Sequence, residues 1–156
     1  MARNTTKWQR VIKLTKADGS TRHGVVYRPG KTVQAPGHGQ LCSSAYLHAY
    51  RDRYEAALFR QLHVDDEYDI PWTAWAVVET SDGTKLGCTA LQVVAPTTLP
   101  TLPTETCVTV AILLALDVYD RATDAGAFGA WTEGWLSGED RTKATAWASW
   151  AARAAA

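Results

Sequence analysis

"WTAWAVVETSDGTKLGCTALQVV", residues 72–94, decides the fold. Two runs rich in Val, Thr, Leu and Trp flank Ser81-Asp82-Gly83-Thr84. Asp-Gly suits the tight turn of a β-hairpin, and β-branched and aromatic side chains suit its strands. A long antiparallel hairpin is predicted here, and the other segments are placed around it.

Upstream, residues 8–35 read as further antiparallel strands. "WQRVIKL" alternates Trp8, Arg10, Ile12 and Leu14, Asp18-Gly19 supplies one turn, and Pro29-Gly30 supplies a second. "APGHGQ" is a Gly/Pro loop. "QLCSSAYLHAYRD", residues 40–52, is expected to run as a strand with Cys42, Ser44, Tyr46 and His48 on one face, Cys42 being a small buried hydrophobe. The spacing of Tyr50, Tyr54, Ala57, Leu58 and Gln61 then predicts a helix.

Downstream, "APTTLPTLPTE" is an extended linker. Beyond it the chain reads as helix: one over about 104–120, a second in "DAGAFGAWTEGWL", and a third in "EDRTKATAWASWAARAAA" that Ser137 or Asp140 can cap. The first is apolar nearly all round, so it is expected to be covered on most sides, with Trp131 or Trp135 packed against it. The predicted fold class is α+β: N-terminal antiparallel β-hairpins with one helix (1–103), followed by a C-terminal three-helix subdomain (104–156) packed on them.

At 156 residues with 46% hydrophobic content, the chain can bury a core, and its formal net charge of +0 favours no polyanionic partner as a whole. The charge is uneven. Arg10, Lys13, Lys16, Arg22 and Arg28 form a basic patch near the N-terminus, and Asp65, Asp66, Glu67 and Asp69 form an acidic run. "MARNTTKWQR" has no apolar signal-peptide core, and the longest apolar run, residues 108–116, is too short to span a bilayer. A soluble protein of a reducing compartment with no membrane association is expected. Three widely spaced cysteines suggest neither a disulfide framework nor a zinc ribbon.

The candidate chemistry is sparse. Cys42 and His48 are six residues apart, which neither strand nor helix brings to the contact distance of a nucleophile and its base. His23, His38, His48 and His63 have no paired ligand spacing, "GHG" at 37–39 lacks the Lys and Ser/Thr of a phosphate loop, and "DDEYD" lacks a calcium-loop pattern. No metal and no cofactor is expected. Trp131 and Trp135 (i, i+4) and Trp147 and Trp150 (i, i+3) each share a helix face, and an Ala-rich helix has little else to bury. With Arg141, these four tryptophans are the candidate protein-binding residues.

Two segments carry a resemblance. "GKTVQAPGHGQLCSSAYLHAY" with "AVVETSDGTKLGCTALQVV", and "ILLALDVYD" with "FGAWTEGWLSGEDRTKATAWASWAARAAA", resemble an uncharacterised family of small phage and prophage proteins. That family has a Cys-x-x-x-x-Leu-His core and an Ala-rich tail bearing Trp-Leu-Ser-Gly-x-Asp-Arg. The resemblance implies a phage accessory role and transfers no catalytic residue; the Ala/Trp helix and the lack of a catalytic constellation lead us to expect a protein of the host cytoplasm that binds a host or defence protein or forms a homo-oligomer. "CSSAYLHAYRDRYEAAL" also resembles a segment of ADP-ribosyltransferases, with Leu47-His48 in place of an aromatic pair and Ala45 in place of glycine. That likeness implies an NAD- or nucleotide-using enzyme with His48 and Glu79 as candidates, although no His-Gly-Ser strand accompanies it. The leading expectation is a non-enzymatic binding protein. Its rivals are this enzyme and a weak nucleic-acid binder using the basic N-terminal patch.

Overall fold

The computed structural model describes residues 7–21, 24–63, 70–118 and 127–142. The chain divides into two compact units, Met1–Thr101 and Leu102–Ala156. The first contains strands β1 (Trp8–Thr15), β2 (Thr32–Gln34) and β3 (Leu47–Ala49), helix α1 (Arg53–His63), and strands β4 (Ile70–Ser81) and β5 (Leu86–Pro96). The second contains helices α2 (Thr104–Val118) and α3 (Ala127–Ser137). The class is α+β, with an antiparallel five-stranded sheet.

The predicted hairpin is the spine of the sheet: β4 pairs antiparallel with β5 along most of their lengths. Asp82 shapes the turn, its Oδ1 accepting from the backbone N–H of Thr84 (2.8–2.9 Å with the hydroxyl included) and of Lys85 (2.9 Å). Register shifts at Thr73/Ala74, Val77/Val78 and Val78/Thr80 bend the hairpin, as bulges do. The order is β1-β4-β5-β2, with β3 also on β5. The curl brings β1 to the residue after β3, where Ile12 and Tyr50 exchange both backbone hydrogen bonds (2.8 and 2.9 Å). The circuit β1–β4–β5–β3–β1 is thus closed, like a small barrel.

Alternation then sorts side chains into inside and outside. Val11, Leu47, Ala49, Ala74, Ala76, Leu86, Cys88, Leu91 and Val93 join Tyr27 in one buried cluster. Alanine recurs because a circuit this narrow leaves little room at its axis. Outside, Ile12, Leu14 and Tyr50 are also buried, because α1 packs on β1 and contributes Ala56 and Phe59. Asp52 caps α1, accepting from the N–H of Tyr54 (2.8 Å) and Glu55 (2.9 Å), a contribution of about 1 kcal/mol.

Gly87 is where β3, β4 and the preceding loop meet. A Cβ there would lie 2.5 Å from Leu41 Cδ1, 2.7 Å from Thr80 Cγ2 and 3.2 Å from Tyr46 Cγ. Three side chains would have to yield together, so Gly87→Ala is expected to destabilise the unit by roughly 1–3 kcal/mol. A chemical denaturation midpoint equal to wild type would contradict this close packing.

Several expectations are corrected. β1 does not open an N-terminal hairpin; its whole length pairs with β4. After β1, the described residues of 16–30 make nested tight turns: Gly19 N–H to Lys16 O, Lys16 N–H to Ser20 O, Thr21 N–H to Val25 O and Tyr27 N–H to Gly19 O, each 2.9 Å. Among the described residues of that stretch, the only strand-like pairing is the Ser20–Val26 bridge. β1 is buried on both faces over Val11–Thr15, which a two-stranded local hairpin could not achieve.

The segment at 40–48 is a strand only from Leu47. Before it, the Ser43 hydroxyl donates to Gln40 O (2.6 Å) and accepts from Ala45 N–H (3.2 Å), a serine turn that replaces ladder bonds. Cys42 is therefore exposed, not buried. Thiol labelling with peptide mapping should find Cys42 modified in the native protein and Cys88 modified only after unfolding. Rapid native labelling of Cys88 would contradict the closed circuit.

In the helical unit, Trp135 is buried and its Nε1–H donates to Thr109 Oγ1 of α2 (3.3 Å). Ile112 is buried, but Leu113 (53%) and Leu114 (36%) are exposed, so α2 is not covered on most sides as its composition suggested. The expected third helix, with Trp147 and Trp150, lies outside the described residues, as do Arg22, His23 and the acidic run at 65–69.

Candidate ligand-binding face

The outer face of the sheet is only partly covered by α1. The register defines two cross-strand rows above the covered part. Arg10 stands opposite Trp75, Trp75 opposite Gln92, and Gln92 opposite Thr32. In the adjacent row, Trp8 stands opposite Val77, Val77 opposite Ala90, and Ala90 opposite Gln34. Directly paired residues share a face, so two tryptophans, an arginine and three uncharged polar side chains occupy one surface.

Their exposure is unusual for such residues. Trp8 is 40% and Trp75 45% accessible, while Val77 between them in the lattice of side chains is buried. Arg10, Thr32 and Gln34 are exposed, and Gln92 is half-buried. Among the described residues, neither indole donates a hydrogen bond and Arg10 pairs with no carboxylate. Trp72 shows the contrast: three residues before Trp75 on the same strand, it faces the other way and donates Nε1–H to Thr15 Oγ1 (2.9 Å). A strand that packs one Trp against the core and turns the next outward leaves much of the second indole accessible.

The other basic-patch residues have structural duties. Lys13 is inside: its Nζ donates to His48 O (2.8 Å) and sits 5.1 Å from the Tyr27 ring centroid. Burial lowers its pKa from 10.5 to about 8. Burial likewise raises Cys88 from 9.0 to about 12, and raises Tyr27. Arg28 donates to Asp18 O (2.5 Å) and Tyr27 O (3.2 Å), clamping the turn. Lys16 is half-buried and lies at the turn's base. The four described cations therefore form no single patch, and Arg10 alone of them lies on the open face.

The remaining candidates separate in the same way. The His48 ring donates Nε2–H to Leu41 O, and its own carbonyl accepts from Lys13. Glu79 is exposed, with Thr89 Oγ1 at 3.5 Å. The ring of His48 is thus fixed by the backbone of the preceding loop. Arg141 donates Nε–H to Trp135 O (3.1 Å) and pairs with Glu105 (3.3 Å), tying the end of α3 to the start of α2. Trp131 and Trp135 lie 5.9 Å apart, centroid to centroid, at 52°. Trp135 and Arg141 are thus engaged within their own unit. Among the described residues, no group of three His, Cys, Asp or Glu side chains could hold a metal ion, and no helix is long and apolar enough to cross a membrane.

Sequence reasoning placed Arg10 in its basic patch and Trp8 beside it in the same strand, but it missed Trp75 and Gln92. The three-residue spacing of Trp72 and Trp75 within a predicted strand already places them on opposite faces. Only the β1–β4 register, however, joins Trp75 to Arg10. Comparison with family models, with curated proteins and with solved structures finds no match to this chain.

Proposed function

We propose that this chain is a binding protein without a reaction of its own, and that the open outer face of the sheet is its ligand site. The observation that carries this reading is the grouping of exposed Trp8 and Trp75 around Arg10, a guanidinium that pairs with no carboxylate among the described residues. Tryptophan and arginine are the residues that most often dominate binding energy, and here neither is needed to hold the sheet together. The resemblance to phage accessory proteins supports a ligand met in an infected host cell. Affinity capture from host lysate should retain a ligand on the wild-type chain that a Trp8→Ala/Trp75→Ala variant does not. Identical capture by the two would overturn the assignment of this face.

A second reading is favoured by Leu113, Leu114 and Leu136, which are exposed on α2 and α3. They suit a host protein or a second copy of the chain. Sedimentation at increasing concentration tests the second copy: self-association abolished by Leu113→Ser would support it, and a concentration-independent monomer would exclude it.

A further inference from the structure

The chemistry of the open face is specific enough to name its ligand class. We infer that it takes single-stranded nucleic acid, with bases stacked on Trp8 and Trp75 and the phosphate backbone drawn to Arg10. This rests on the outer face being the ligand site, as proposed above.

The arrangement matches what a flexible polyanion with exposed bases requires. Trp8 and Arg10 alternate along β1, and Trp75 stands across from Arg10 on β4, so the two indoles are diagonal neighbours flanking one cation. Indole offers a stacking surface to any unpaired base, and a guanidinium offers charge and a planar edge to phosphate or base. Beyond Trp75 the rows continue with Gln92, Thr32 and Gln34, uncharged donors and acceptors suited to base edges and sugars.

Charge supports the same ligand. None of the residues in the two cross-strand rows is acidic. Glu79, the next carboxylate along β4, comes after the register shift at Val77/Val78 and beside Thr89. Lys7 and Lys31 are exposed and immediately precede β1 and β2. By alternation they turn away from the face that Trp8 and Thr32 share, so Arg10 is the cation of the two rows. The neutrality of the whole chain does not oppose this, because phosphate responds to charge within about a Debye length, roughly 8 Å at physiological salt. A duplex keeps its bases stacked internally and cannot use the indoles, so single strands are preferred.

The test is fluorescence anisotropy of labelled oligothymidylate, oligoadenylate and a duplex of equal length, with the full chain. Both single strands are expected to bind, and the duplex more weakly. Trp8→Ala and Trp75→Ala are each expected to weaken single-strand binding by roughly 5- to 150-fold, with unchanged thermal melting. Arg10→Gln should lower the slope of log affinity against log salt by about 0.7, the value for one lost phosphate contact on a single strand. No single-strand binding, or binding that neither tryptophan variant weakens, would overturn the inference. A photo-crosslinking amino acid at Gln92, used in lysate with and without nuclease, separates the two levels of the claim. A nuclease-resistant adduct to a protein overturns the nucleic-acid ligand and keeps the face. Absence of any adduct together with absence of oligonucleotide binding overturns both.

Discussion

Replacing Trp135 by alanine is expected to destabilise the helical unit by roughly 3–5 kcal/mol, the range for truncating a large buried aromatic. Trp135 is only 6% exposed, and its Nε1–H bonds Thr109 of α2, alongside the exposed Arg141–Glu105 link from just after α3 to α2. Burying about 200 Å² of indole at ~25 cal/mol/Å² is worth up to ~5 kcal/mol. Little else among the described residues compensates, because Leu113, Leu114 and Leu136 remain exposed. The loss is comparable to the net stability of a small domain, so the unit should open. Trp135→Phe keeps most of the buried area and loses the Thr109 hydrogen bond, an expected cost nearer 1 kcal/mol. Hydrogen exchange at the α2 amides reads this unit on its own. Unchanged protection in Trp135→Ala would mean that α2 and α3 are held by something other than this contact.

The second large effect concerns Lys13. Its pKa falls from 10.5 to about 8 because burial penalises its charge, and among the described residues it meets the His48 carbonyl, the Tyr27 ring and Cys88 but no carboxylate. Below pH 8 both the folded and unfolded chains carry the proton, and the full cost of the buried charge, ~3 kcal/mol, is present. Between pH 8 and 10.5 the unfolded chain holds more protons than the folded one, so stability rises with pH. The opposite trend begins above pH 9. There the unfolded chain releases the Cys88 proton, which the folded chain keeps to about 12, and Tyr27 and Tyr50 follow in the same direction. Stability should therefore gain on the order of 1 kcal/mol between pH 7 and 9, level off, and then fall. Urea denaturation across this range tests it, with Lys13→Met as the control in which the rise disappears. A wild-type stability that is flat or falling from pH 7 to 9 would contradict a buried charged lysine.

How much was legible in the sequence follows the range of the interactions. The β4–β5 hairpin, α1 and α2 were readable because their causes are local: Asp82-Gly83 in the turn, the helical spacing after Asp52, and the apolar run after Thr104. The fate of β1 was not readable. "VIKLT" looks like half a hairpin, and nothing within it announces a partner as distant as Ile70–Ser81. Burial of Lys13 follows from that pairing, because a strand flanked by β4 on one edge and Tyr50 on the other puts its alternate residues inside. Cys42 was misplaced because Ser43 beside it satisfies the backbone locally where a ladder was expected. The candidate face was half legible. Trp8 and Arg10 were visible as neighbours in one strand, while Trp75 and Gln92 reached them only through register, which a single sequence does not display.

The central claim is that Trp8 and Trp75 form a ligand surface. It is tested most directly by following the indole N–H signals of the seven tryptophans by ¹⁵N NMR while a single-stranded oligonucleotide is added. The signals of Trp8 and Trp75 should shift progressively with ligand. Those of Trp72 and Trp135, held by Thr15 and Thr109, should stay in place. Stationary Trp8 and Trp75 signals at saturating oligonucleotide would contradict the account.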